Sequence, residues 1–357
     1  MVKMDLSLYK GKKIFITGHT GFKGSWMTYW LQYLGAEVVG YSLPPETNPN
    51  HFELLKLDID SNYNNICDID KLKRAIKKSN PDIIFHLAAQ PLVRYSYINP
   101  LETFHTNILG TANLIESARG CDSVKAIVVI TTDKCYENIE QKKGYVESDR
   151  MGGFDPYSSS KGCAELIISS YRNSFFNISD FQIKHQTLIA SARAGNVIGG
   201  GDWSPDRLIP DIVKSTEKEL KTNIRYPKST RPWQHVLEPI YGYLLLGEKL
   251  YNGESDFAEA WNFGPGESES LSVEKVLKYS KKIWNKIDFE FENNEKNPHE
   301  AGLLSLNIQK AKNKLGWEPK WSNHQSICKT IEWYKDFYNS NKINTDLDLK
   351  SYISEVY

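Results

Sequence analysis

The sequence predicts an α/β fold: a doubly wound parallel sheet covered by helices on both faces, with a smaller α/β portion toward the C-terminus. Three observations predict it. Residues 12–17 (KKIFIT) are a short apolar, β-branched run that passes through Gly18, Gly21 and Gly24 into a segment, 25–34, with large apolar side chains at helical spacing. Short apolar strands then alternate with helical stretches through the first half of the chain. Polar residues collect at the carboxyl ends of those strands, where open α/β sheets meet their ligands.

The glycine turn comes first. A strand that turns sharply into a helix aims backbone N–H groups and the positive helix end at one point, which suits a pyrophosphate, and side chains there would hold a phosphate away. Gly18, Thr20, Gly21, Phe22, Lys23 and Gly24 are therefore candidate dinucleotide contacts. Residues 37–41 (EVVGY) read as the second strand. Tyr41 and Ser42 stand where an acidic residue often holds the adenosine ribose of NAD, so the residues leave NAD and NADP open, and Lys23 can attract a ribose phosphate.

Residues 43–65, rich in Pro, Asn and acidic side chains, read as a long irregular excursion, and 65–68 as a strand ending at Asp68. A Lys-rich amphipathic helix follows, then a buried strand at 81–89 (PDIIFHLAA) with its proline at the tolerated first position. Ala88, Ala89 and Gln90 open a loop containing Arg94, and a helix with Asn107 and Gly110 comes next. Residues 124–133 (VKAIVVITTD) form the most apolar strand, which delivers Thr131, Thr132, Asp133 and Lys134 at its carboxyl end.

A polar loop, 136–156, leads to Tyr157 and Lys161 and a helix over 164–175. Residues 187–197 (TLIASARAGNV) are a further strand ending in Arg193, Gly195 and Asn196; 199–203 (GGGDW) reads as a flexible turn, and a helix starts at 207–210. The first domain is expected to span 1–196 plus about 233–262, and the substrate portion about 197–232 and 263–335. Residues 336–357 are expected to be a peripheral tail.

Equal numbers of basic and acidic residues, 44 of each, leave no basic field for nucleic acid. The five cysteines show no paired spacing and fit a reducing compartment, and the eight histidines show no ligand spacing, so no metal is expected. The absence of a signal-peptide core or a membrane-length apolar run predicts a soluble, cytoplasmic protein.

Tyr157 and Lys161 lie four apart and share a helix face, where an ammonium beside a phenol lowers its pKa and makes Tyr157 a general base for a hydroxyl. Tyr9 and Lys13 have the same spacing without the context. What sets the first pair apart is its place: 24 residues separate Thr132 from Tyr157, which opens a helix after a Gly/Pro loop.

With the turn at 17–24 (TGHTGFKG), Thr132 and the Tyr157/Lys161 pair, nearly the whole chain resembles the extended short-chain dehydrogenase/reductase superfamily, which implies a Rossmann-type sheet and NAD. In that superfamily the Tyr, Lys and Thr drive hydride exchange between a sugar carbon and nicotinamide. The resemblance extends the cofactor set to Asp68, Ala88, Ala89, Gln90, Asn107 and Thr131. Asp133 and Lys134 narrow the resemblance. Sugar-nucleotide 4,6-dehydratases carry an acid and a base after the Thr, usually Asp-Glu; the Asp-Lys here is similar to the CDP-glucose branch. Residues 18–26 (GHTGFKGSW), 88–94 (AAQPLVR), 155–158 (DPYS), 193–203 (RAGNVIGGGDW) and 231–236 (RPWQHV) match that branch too.

The resemblance implies that Tyr157 deprotonates a sugar 4-hydroxyl as hydride leaves C4, that Lys134 takes the C5 proton, and that Asp133 protonates the departing 6-hydroxyl. A lysine can serve as that base if it is desolvated beside other cations. Planar guanidinium groups make Arg207 and Arg231, with Arg94, candidates for the substrate pyrophosphate, and Asn196 and His299 candidates for the diphosphate or base. A GDP-, UDP- or dTDP-linked hexose or heptose remains open as substrate, as do epimerase or reductase chemistry and a non-catalytic nucleotide sensor. The resemblance also implies a homodimer or homotetramer and a place in deoxysugar biosynthesis for an O-antigen or capsule.

Overall fold

The computed structural model describes residues 6–141, 143–266, 271–291 and 304–356. Its centre is a seven-stranded, all-parallel sheet. In chain order the strands are β1 (Lys13–Thr17), β2 (Glu37–Ser42), β3 (Asp60–Tyr63), β4 (Ile83–His86), β5 (Ala126–Ile130), β6 (Leu188–Ala194) and β7 (Ala260–Phe263). Their spatial order is β7-β6-β5-β4-β1-β2-β3, so the winding reverses between β1 and β4. That crevice is where a doubly wound sheet takes its ligand. The principal helices are α1 (Phe22–Tyr33), α2 (Ile69–Ser79), α3 (Gly110–Arg119), α4 (Pro156–Ser174), α5 (Leu208–Glu217), α6 (Leu237–Tyr251), α7 (Val273–Ile283), α8 (Asn323–Ser340) and α9 (Thr345–Val356).

Side chains on a strand alternate between faces, and here both faces are buried. Ile14, Ile16, Ile83, Phe85 and Val128 point into one core with Trp26 and Trp30 of α1 and Leu244 of α6. Phe15, Ile84, Ile127 and Ile189 point into the other with Leu72 of α2, Leu114 of α3 and Ile168 of α4. After an excursion that begins past β6 the chain returns to the sheet: α6 packs on β5 and β6, and β7 pairs with β6 at the edge. The smaller C-terminal portion is held by short pairings, Thr222–Ile224 with Phe289–Phe291 and Thr230–Arg231 with Leu271–Ser272, and by α5 and α7.

Four local expectations change. The excursion at 43–65 contains a one-turn helix (His51–Leu55) and the edge strand β3; the strand was not visible because its sequence is polar and half exposed. Residues 65–68 are a turn, and Asp68 caps α2 by accepting from the Lys71 amide at 3.1 Å. The triple glycine is packed rather than loose. A Cβ on Gly200 would stand 2.0 Å from the Trp333 ring, and Gly201 sits at φ +88° against His51. The last helix is no peripheral tail: Leu349 and Tyr352 are buried in the main core, and the Tyr352 hydroxyl donates to Glu238 at 2.6 Å. Among the described residues no helix is long and apolar enough to cross a membrane, and no group of three or more His, Cys, Asp or Glu is arranged to hold a metal.

Candidate active site

A cleft of about 1430 Å³ runs along the carboxyl ends of the strands, from the glycine turn to the smaller C-terminal portion. The turn is shaped by two close approaches. Gly18 has φ +76°, and a Cβ there would meet the Ala88 backbone nitrogen at 2.7 Å; a Cβ on Gly24 would meet the Gly18 carbonyl at 2.0 Å. Both positions therefore exclude every side chain. At Gly21 the nearest obstacle is the Gly18 carbonyl oxygen at 3.4 Å, so here the glycine keeps the approach to the helix clear. No side chain caps the start of α1 and no acidic residue stands in its first turn, which leaves its orphan N–H groups and positive end for an anion.

The cradle continues on neighbouring strands. The Ala88 amide donates to Thr17 Oγ1 at 3.2 Å, and Thr20 Oγ1 lies 2.8 Å from the Ser42 hydroxyl. Ala88, Ala89, Gln90 and Thr131 line the cleft with Gly18, Thr20, Phe22 and Lys23. Asn107 is buried behind the cleft: its amide accepts from the Gln90 N–H at 2.9 Å and donates to the Gln90 carbonyl at 3.0 Å and to Ser160 at 2.8 Å. It props the 88–90 loop rather than facing a ligand. The Asp68 carboxylate is also outside the lining, paired with Lys71 at 3.2 Å.

At the end of β5 the chain tightens into one turn of 3₁₀ helix, Asp133–Cys135, capped by Thr132. The Thr132 hydroxyl donates to Asp133 Oδ1 at 2.9 Å, while Asp133 Oδ2 is buried without a hydrogen-bond partner. Burial raises the Asp133 carboxyl above its usual range, against the pull of Lys134, the Thr132 hydrogen bond, Arg231 and Lys23. Gly195 leaves the space beside that oxygen; a Cβ there would stand 3.0 Å away. Lys134 lines the cleft next to it, half-buried.

The opposite wall is α4. Pro156 occupies the helix start and the Asp155 side chain caps it, accepting from the Ser158 amide at 2.9 Å. The helix thus begins at Pro156, as a Tyr157 that opens a helix requires, which puts Tyr157 and Lys161 on successive turns of one buried face. Both line the same cleft as Thr132, Asp133 and Lys134. Burial outweighs the effect expected of Lys161 on the Tyr157 phenol. Burial pushes the Tyr157 phenol up to about 12, opposed by a hydrogen bond to Thr132 and by Arg207 rather than by Lys161. Burial pushes the Lys161 ammonium down to about 8, with Glu165 opposing. Lys23 lies near the other charged groups of the cleft: burial takes it down to about 7, helped by Arg207 and Lys161 and opposed by Asp133.

Three arginines reach the cleft, Arg94 from the segment after β4 and Arg207 and Arg231 from the C-terminal portion. Arg207 is held by Asp202 at 2.8 Å, Arg94 reaches Asp206 at 3.2 Å across the opening, and Arg231 donates to the Thr230 carbonyl at 2.9 Å. Asn196 also lines the wall. His299 lies outside the described residues. The orienting role of Asp202 was not anticipated; its spacing of five from Arg207 around a loop gives no periodic signal.

The sequence profile of a family described as GDP-mannose 4,6 dehydratase matches residues 15–330. The chain is 47% identical over 334 residues to a CDP-glucose 4,6-dehydratase of Salmonella typhimurium, covering 93% of each chain. It is 26% identical to a CDP-paratose 2-epimerase of Salmonella typhi, over 90% of this chain and 98% of that one. Among solved structures, a dTDP-glucose 4,6-dehydratase from Bacillus anthracis in complex with NAD superposes with a TM-score of 0.76 at 22% identity, covering 93% of this chain and 98% of that one.

Proposed function

The chain belongs to the GDP-mannose 4,6 dehydratase family, and from that premise we propose that it is an NAD-dependent sugar-nucleotide 4,6-dehydratase that converts CDP-glucose to CDP-4-dehydro-6-deoxyglucose and water. The observation that carries the reading is Asp133: a buried carboxyl with one unpartnered oxygen, beside Lys134, on the same cleft as Thr132, Tyr157 and Lys161. A simple reductase or epimerase has no use for that acid.

The residues present fit NAD. Gly18 and Gly24 shape a cradle that any Cβ would fill, and the uncapped start of α1 matches a pyrophosphate. Gly18, Thr20, Gly21, Phe22, Gly24, Ala88, Ala89, Gln90 and Thr131 would hold the cofactor, with Tyr157 and Lys161 at its reactive end. When bound, NAD takes hydride from C4 of the sugar and returns hydride to C6, so no net oxidation occurs.

The chain supplies the proton chemistry. Tyr157, whose phenolate the Thr132 hydrogen bond and Arg207 favour against burial, accepts the proton of the 4-hydroxyl, and Thr132 hydrogen-bonds the oxygen that becomes the ketone. The ketone acidifies C5, whose proton passes to Lys134. Asp133, raised toward its protonated form by burial, gives its proton to the 6-hydroxyl, which leaves as water, and Lys134 hands its proton back to C5 as hydride reaches C6. Arg207 and Arg231, with Arg94 and Asn196, hold the diphosphate and nucleoside, Asp202 fixing the Arg207 fork.

In this reading residues 1–196 and 233–262 serve the cofactor, and 197–232 with 263–335 serve the substrate. Two copies pair through the helices of the first part, an arrangement supported by the exposed Ile98, Leu101, Phe154 and Leu166. The enzyme works in the cytoplasm, and its keto-deoxy product feeds deoxysugar assembly for an O-antigen or capsule. The test is mass spectrometry of the purified protein with NAD and CDP-, GDP-, UDP- and dTDP-glucose, without added reductant. Loss of one water from CDP-glucose supports the reading. An unchanged mass with all four, or interconversion of epimers alone, overturns it.

A further inference from the structure

Behind the catalytic wall lies a polar network that the chemistry above does not use. Glu165 stands four residues beyond Lys161 on α4, and its side chain is 3% exposed. Its carboxylate takes three donors: Thr131 Oγ1 at 2.5 Å, Ser191 Oγ at 2.7 Å and Arg193 at 2.9 Å. Arg193, 5% exposed, spends its other arm on the Tyr136 hydroxyl at 2.7 Å and the Glu147 carbonyl at 3.0 Å. Tyr136 donates onward to Asn262 Oδ1 at 2.8 Å, and the Asn262 amide donates to the Tyr145 carbonyl at 2.9 Å. Tyr145 in turn exchanges backbone hydrogen bonds with the substrate side, donating to Ser305 at 2.9 Å and accepting from Asn307 at 2.8 Å.

The two ends of this network bracket the turn that carries the acid. Thr131 immediately precedes Thr132 and Asp133, and Tyr136 immediately follows the 3₁₀ turn. Nothing in the turn itself can fix Asp133, because one of its carboxyl oxygens has no partner and the other is held only by its neighbour Thr132. A buried ion pair is a poor source of stability, since apolar side chains of similar volume generally do as well; what it supplies is a fixed geometry. Although burial favours the neutral acid, Arg193 and the hydroxyl donors hold the Glu165 carboxyl below its usual range, so the pair is ionic.

We propose that the Glu165–Arg193–Tyr136 network is a positioning device for the elimination step: it clamps both ends of the Asp133 turn against α4 and ties that turn to the substrate-side segment at 305–307. The inference rests on the dehydratase reading. Oxidation at C4 draws on Tyr157, Lys161 and Thr132. Elimination needs Asp133 and Lys134 aligned over C5 and C6 as well, so slack in the turn harms the second step more. Glu165 also bears on the charge of Lys161, as the main influence opposing its burial; the other groups facing that ammonium are Cys135 of the turn, Lys23 of α1 and His86 at the end of β4.

The experiment compares Glu165→Gln and Tyr136→Phe with the wild type, each with NAD and CDP-glucose in a single turnover. Reduced nicotinamide absorbance follows oxidation, and mass spectrometry follows water loss. Tyr136→Phe removes one hydroxyl at the far end of the network with little change in packing, so it carries the test even where Glu165→Gln does not fold. The expected result is that both variants accumulate the reduced cofactor with a water-loss rate down about 10²-fold, the cost of a small misplacement, and with KM within about threefold of wild type. Glu165→Gln should also move the alkaline limb of the oxidation step to lower pH, which a purely structural role would not do. Variants that lose water at the wild-type rate, or whose oxidation and elimination fall in parallel, overturn the positioning role. A wild type that loses no water from CDP-glucose overturns the dehydratase reading instead.

Discussion

Replacing Asp133 by asparagine isolates the acid from everything else at the site. The amide keeps the shape and keeps an oxygen to accept the Thr132 hydroxyl at 2.9 Å, while its NH₂ takes the place of the unpartnered oxygen. No hydrogen-bonded ion pair is broken, because the Asp133 carboxyl is hydrogen-bonded only by Thr132 among the described residues. Stability should therefore change by no more than about 1 kcal/mol, the scale of one neutral hydrogen bond. Catalysis should change far more. An amide cannot deliver a proton to the leaving hydroxyl, and positioned general acids contribute about 10²–10⁴-fold, or about 3–5 kcal/mol of barrier at 1.36 kcal/mol per decade. Stopped-flow absorbance of Asp133→Asn with NAD and CDP-glucose should show reduced nicotinamide forming at a near wild-type rate and persisting. Mass spectrometry should show water loss slowed by that factor. Water loss at the wild-type rate would refute the role of Asp133, and absence of the absorbance would place its function in oxidation.

Lys134→Ala should give a similar block after oxidation, because the C5 proton loses its acceptor; full dehydration by this variant would remove Lys134 from the mechanism. Gly24→Ala pushes a Cβ to within 2.0 Å of the Gly18 carbonyl, so the turn must open, at about 1–3 kcal/mol by the usual cost of overpacking. Titration should show NAD affinity falling at least about tenfold, and unchanged affinity would contradict the cradle. Glu238 gives a pH prediction. Burial pushes its carboxyl up from 4.5 to about 7, against donors from Tyr352, Trp321 and Lys320. A carboxyl raised in the folded state binds its proton more tightly there, so the stability linked to it is complete below pH 4.5 and is lost as pH rises toward 7. The span is worth about 3 kcal/mol. Thermal melts should show Glu238→Gln flattening the decline in Tm across that window, and parallel curves would contradict it.

The sheet was legible because its central strands are buried on both faces and so read as uninterrupted apolar runs, as at 126–130. The edge strand β3 was not, since DSNY is polar, half exposed and recognisable only through its pairing with β2. The residues proposed for catalysis were legible as two short patterns, Tyr157/Lys161 and Thr132/Asp133/Lys134, and the fold brings both to one cleft. Their charge states were not, because burial outweighs local pairing: Tyr157 is pushed up to about 12 where a neighbouring lysine had suggested a fall. Asn107 is on the expected helix, but a buried amide that props the Gln90 loop leaves the same trace in a sequence as one that touches a cofactor. Glu165 did leave a trace, the third member of a spacing of four after Tyr157 and Lys161. Its partner Arg193 lies on β6, far along the chain, which no spacing can reveal.

Dehydration without net redox change means that one hydride leaves the sugar and comes back to it inside a single closed site. The most direct measurement uses CDP-glucose carrying deuterium at C4, mixed with unlabelled CDP-glucose of distinguishable mass. The account predicts deuterium at C6 of the molecules that began with it at C4, and none in the others or in solvent. Deuterium scrambled between molecules, or retained at C4 in a product that has lost water, would contradict it.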